Sequence, residues 1–144
     1  MPQRDSYHAS VKQALIKDGW TITHDPYILD LPDETLFVDL AAEQIFAAEQ
    51  GACKIAVEVK SFLGPSLIAA LEQATGQYLL YRSLLKRLEP ERQLYLAVSE
   101  AAAAELAQRR TMQVLRDDYG IALVVVNIAQ EEVTTWTPAP IPPA

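Results

Sequence analysis

The stretch Lys54-Ile55-Ala56-Val57-Glu58-Val59-Lys60 decides the fold class of this chain. Side chains on a strand alternate between faces, so Ile55, Val57 and Val59 point one way and Ala56, Glu58 and Lys60 the other. One face is wholly apolar. The other carries a carboxylate and an amine only towards its C-terminal end, beside the loop Ser61 to Pro65. Upstream, Gln44 to Glu49 and Ala52 to Lys60 flank Gln50-Gly51 as a hairpin. Downstream, Pro65 stands where the first turn of a helix accepts a proline, and Leu67 to Leu88 reads as the longest helix. Leu94 to Val98 then forms an apolar strand with no polar face, as a buried central strand requires.

The flanks complete the pattern. Asp5 can cap a helix through Tyr7, Val11, Ala14, Leu15 and Ile16, which Gly19 ends. Trp20 and Ile22 alternate as a strand that stops near His24-Asp25-Pro26. Pro32-Asp33-Glu34 reads as a turn, and Leu36 to Leu40 as a short strand containing Asp39. Ser99 caps an alanine-rich helix, further helical turns reach Tyr119, and Gly120 ends them. Ile121 to Ile128 is another apolar strand and Val133 to Trp136 an edge strand. The order is helix, three strands, helix, strand, helix, strand: an α/β layer with helices covering a mixed central sheet. Residues 1–137 are expected to form one domain. Residues 138–144, with four prolines, form an extended, mobile tail.

A length of 144 residues fits a single hydrophobic core, and half the residues are apolar, too many for a disordered chain. The longest apolar runs, such as Ile121 to Val126, fall far short of the ~18 residues of a membrane helix. With one cysteine, Cys53, and no apolar segment at the start, the expectation is a cytoplasmic protein without disulfides. The net charge of −7 argues against nucleic-acid affinity spread over the whole surface. A local patch, a divalent metal or a basic partner remains open.

Glu58 and Lys60 share a strand face, and Asp39 precedes the hairpin, where a mixed sheet can bring it beside Glu58. Two carboxylates and a main-chain carbonyl, that of Val59, suit Mg2+ or Mn2+, which take few protein ligands and keep waters for a phosphate to replace. The ion lowers the pKa of a bound water, and a lysine beside it orients the nucleophile or stabilises developing charge. Glu-x-Lys alone says little, because it also arises as an exposed ion pair worth about 0–1 kcal/mol. Its position after an apolar strand, an aspartate and a hairpin gives it weight. Asp39 and Glu58 are 19 residues apart, which leaves Glu43 as an alternative acid.

Five further stretches carry a resemblance. They are Lys17 to Pro26, Val38-Asp39-Leu40, Ala47-Ala48-Glu49, Lys54 to Gly64 and Leu71 to Tyr78, with Leu94 to Val98 extending them. Over residues 5 to 137 the chain resembles the XisH family of cyanobacterial fdxN-element excision controlling factors, within the PD-(D/E)xK endonuclease-like superfamily. That resemblance implies a restriction-endonuclease-like core and a role in programmed DNA rearrangement, beside a site-specific recombinase and a companion factor, XisI. By position, Asp39, Glu58 and Lys60 fill the acid, acid and lysine places. Gln73, preferred over Gln77, fills that of the helix glutamine, and His8 stands where many superfamily members have a first-helix glutamate.

Other residues have plainer explanations. His24 reads as a turn or core histidine, Cys53 as an inert small residue, and Tyr78 and Tyr81 as core packing. Arg82, Lys86, Arg87 and Arg92 read as a solvated helix end that complements the helix dipole. Two functions follow. One is an accessory controlling factor on a nuclease-like scaffold, favoured by the acidic charge and by His8. The other is a Mg2+-dependent DNA endonuclease using Asp39, Glu58 and Lys60. The balance leans to the first, with DNA or a second copy of the chain also open as partners.

Overall fold

A computed structural model describes residues 6–47 and 51–141. Helix α1 (His8–Lys17) is followed by β1 (Thr21–His24), β2 (Tyr27–Asp30), β3 (Thr35–Val38), β4 (Leu40–Ala47) and β5 (Gly51–Val59). Then come α2 (Leu67–Leu88), β6 (Arg92–Ser99), α3 (Glu100–Ala107), α4 (Arg110–Tyr119), β7 (Leu123–Asn127) and β8 (Glu132–Thr137). Six strands form one mixed sheet in the order β1-β4-β5-β6-β7-β8, and β2 and β3 pair separately as a hairpin. The centre, β5-β6-β7, is parallel because α2 and then α3–α4 carry the chain back across the sheet; the remaining pairs are antiparallel.

The alternation of β5 sorts its side chains into two cores. Ile55, Val57 and Val59 pack with Val11, Leu15, Trp20, Tyr95 and Val124 beneath α1. Ala56 packs on the opposite face with Leu71, Ala74, Tyr78, Leu106 and Met112 from α2, α3 and α4. Side chains cap both α2 and α3: the Ser66 hydroxyl accepts from Ala69 N–H and that of Ser99 from Ala102 N–H. Gly19, with φ +94°, and Gly120, with φ +60°, end α1 and α4 in conformations that disfavour a Cβ.

The architecture is the expected mixed α/β one, with local differences. The strand expected from Leu36 to Leu40 is broken at Asp39, and β4 starts at Leu40 rather than Gln44. The pairing of β2 with β3 about Leu31 to Glu34 adds a strand the sequence did not declare. The Asp5 cap, residues 48–50 of the hairpin and residues 142–144 lie outside the described residues. Before that point the tail is fastened to the sheet: Tyr95 Oη donates to Pro138 O at 2.7 Å, and Gln93 bonds both N–H and O of Ile141. No helix among the described residues is long and apolar enough to cross a membrane.

Candidate metal centre

Leu40 pairs with Val57, so the residue before β4 lies level with the end of β5. Asp39 and Glu58 therefore meet. Asp39 N–H donates to Glu58 Oε1 at 3.3 Å, and Val59 N–H donates to Asp39 Oδ2 at 2.8 Å. Lys60 completes the group, its Nζ 3.6 Å from Glu58 Oε2.

Glu58 is only 6% exposed. Burial, and then the Asp39 charge beside it, push its carboxyl up to about 8, against a weaker downward pull from Lys60. Burial raises Asp39 as well, opposed by the hydrogen bond from Val59 N–H and by its neighbours Lys60 and Glu58. Two carboxyls this close and this dry cannot both ionise without a compensating charge. The pair either holds a proton or accepts a cation. Tyr81 of α2 feels the same charges: burial first, then Glu58 and Asp39, raise its phenol.

His8, which the resemblance set at the first-helix glutamate place, adjoins the pair, and behind it stand Asp25 and Lys12, which the sequence did not single out. His8 at the start of α1 is buried, with Nε2 2.8 Å from Asp25 Oδ1 and Nδ1 3.9 Å from Asp39 Oδ1. Lys12, one turn later, donates to Asp25 Oδ2 at 2.8 Å. The His8–Lys12 spacing of four residues was the available signal, since such residues share a helix face.

The other sequence-derived residues lie elsewhere. Glu43 faces Lys54 in the register and stands 4.0 Å from Arg92, so Asp39 is the acid beside Glu58. Gln73 is exposed on α2, whereas Gln77 is half-buried with an unpartnered, inaccessible Oε1. Arg92 corrects the expectation of a solvated helix end. It opens β6 fully buried, bonded to Ile55 O at 2.8 Å and to Glu89 at 2.7 Å, and lies over the ring of Tyr27. His24 is neither a turn nor a core residue but the exposed last residue of β1, hydrogen-bonded to Thr23, and Cys53 is buried.

Two adjoining carboxylates are the kind of oxygen ligand a small divalent cation takes, and the Lys60 ammonium stands beside them without being a ligand itself. Among the described residues no three His, Cys, Asp or Glu side chains are already arranged to grip an ion.

Comparison with known proteins now adds to the geometry. A family model described as XisH protein matches residues 1–134. The chain is similar to the crystal structure of an XisH family protein from Nostoc punctiforme PCC 73102, with 37% identity and a TM-score of 0.82 over 92% of this chain and 98% of that one. It is equally similar to a fdxN element excision controlling factor protein from Anabaena variabilis, with 37% identity and a TM-score of 0.83 over 93% and 99%. No curated protein matches.

Proposed function

The chain belongs to the XisH family, and from that premise we propose that it controls excision of a DNA element through metal-dependent phosphodiester cleavage on a PD-(D/E)xK-type scaffold. The observation that carries the chemistry is the buried Asp39–Glu58 pair with Lys60 at its rim. Burying a second carboxylate beside the first destabilises the fold unless something positive answers it, and here Lys60 answers from the rim at 3.6 Å. Asp39, Glu58 and the Val59 carbonyl would hold Mg2+ or Mn2+. A bound cation would supply a water of lowered pKa and neutralise charge on the phosphoryl oxygens. Lys60, partly exposed, would meet the scissile phosphate as negative charge develops on it. The Asp39 contact with Val59 N–H fixes the carboxylate against rotation before substrate arrives.

A second reading, an accessory factor that keeps the scaffold and does not cut, is favoured by the net charge of −7. In either case an XisI-type companion and a site-specific recombinase are the expected partners. The deciding experiment offers plasmid, branched and single-stranded DNA to the purified protein with Mg2+ or Mn2+, with and without the companion. Cleavage by wild type, lost in Lys60→Ala with binding and folding kept, supports catalysis, because that amine acts chiefly in the transition state. No cleavage under any condition, with the companion still bound, supports the accessory reading.

A further inference from the structure

We propose that His8 is a nitrogen ligand of this centre and makes it a site for Mn2+ in preference to Mg2+; the inference rests on the metal-dependent reading above. It begins from an unsatisfied atom. His8 is 4% exposed, and its Nδ1 is inaccessible and has no hydrogen-bond partner. A buried polar atom left unpaired costs about 1–3 kcal/mol, so a side chain buried merely to fill space would not be expected to carry one. The atom points at Asp39 Oδ1 across 3.9 Å.

The other ring nitrogen explains the orientation. Nε2 lies 2.8 Å from Asp25 Oδ1, and Lys12 holds the second Asp25 oxygen at 2.8 Å. In the tautomer that donates Nε2–H to that anchored carboxylate, the Nδ1 lone pair faces Asp39. A carboxylate that fixes the tautomer and leaves the other nitrogen bare is how proteins prepare a histidine for a metal. Lone pair and carboxylate oxygen repel unless a cation lies between them. Adjacent ligands on one ion stand about 3 Å apart, so an arriving ion has to draw Asp39 Oδ1 and the ring together by about 1 Å. Asp39 remains tethered through Oδ2 meanwhile.

First-row transition ions accept imidazole nitrogen, Mn2+ the most weakly of the series, whereas Mg2+ keeps to oxygen. The chain has two histidines, and His24 is exposed and turned to Thr23, so the origin of a nitrogen ligand can be read spectroscopically. Spin-echo envelope modulation of protein-bound Mn2+ should show directly bonded nitrogen-14, retained in His24→Ala and lost in His8→Gln. Calorimetry should give wild type tighter binding of Mn2+ than of Mg2+, a difference that collapses towards parity in His8→Gln. Asp25→Asn should weaken Mn2+ by about 10- to 100-fold. Mn2+ that binds in a Glu58-dependent way without nitrogen coupling overturns the role of His8 and leaves the metal centre standing. No Mn2+ binding by wild type overturns both. Should His8→Gln fail to fold, the wild-type and His24→Ala spectra decide the matter on their own.

Discussion

A carboxyl buried beside another carboxyl keeps its proton, and Glu58, pushed up to about 8, still holds it at neutral pH. The sign of the consequence follows from linkage. Between its ordinary 4.5 and about 8, the folded protein binds a proton that the unfolded chain has released. The group's contribution to stability is therefore complete below 4.5 and is lost as pH rises through about 8. Without added metal, the melting temperature should fall between about pH 5 and about pH 8.5. Glu58→Gln, equal in shape and unable to ionise, should flatten that fall and exceed wild type at the upper end. Equal slopes in the two proteins would place the proton on another group. The sequence disclosed Glu58 and Lys60 because strand alternation is strict, and Asp39 because it precedes the partner strand. It did not disclose Asp25, which meets His8 and Lys12 only once β1 has turned the chain back over α1.

At the scale of elements, the strands that read well are those whose composition agrees with their burial. β5, β6 and β7 are rich in valine, leucine and isoleucine and lie at the sheet centre. β4, Leu-Ala-Ala-Glu-Gln-Ile-Phe-Ala, is built mostly from residues that favour helices, and pairing with β5 and β1 overrides that preference. β2 escaped notice because Pro26 and Pro32 frame only four paired residues. Arg92 was misplaced for a related reason. It follows a helix end rich in cations, yet it already belongs to β6, where its guanidinium ties Glu89, Tyr27 and the Ile55 carbonyl into one joint. Arg92→Ala leaves the Ile55 carbonyl and Glu89 without that donor, and should destabilise the protein by about 3 kcal/mol in urea. Arg92→Lys, which restores charge but not the planar fork, should recover only part of the loss. A loss below about 0.5 kcal/mol in Arg92→Ala, the size of an ordinary surface change, would mean that the joint is dispensable.

At the scale of the whole molecule, charge and site pull in opposite directions. The cleavage proposed above requires the chain to meet a polyanion, yet it carries −7. Among the described residues, three of its twelve lysines and arginines are held by carboxylates: Lys12 by Asp25, Lys54 by Glu89 and Glu91, and Arg92 by Glu89. Affinity for duplex DNA depends on how many phosphates are neutralised, and each adds about −0.9 to the slope of log K against log salt. An isolated chain arranged this way should bind weakly, with a slope no steeper than about −2. Fluorescence anisotropy with labelled duplex across roughly 50 to 200 mM salt reads that slope directly. Adding the proposed companion should steepen it if that second protein supplies the positive charge. A steep slope for the isolated chain would instead require a basic surface of its own. The companion would then serve to choose the site of cutting rather than to hold the DNA.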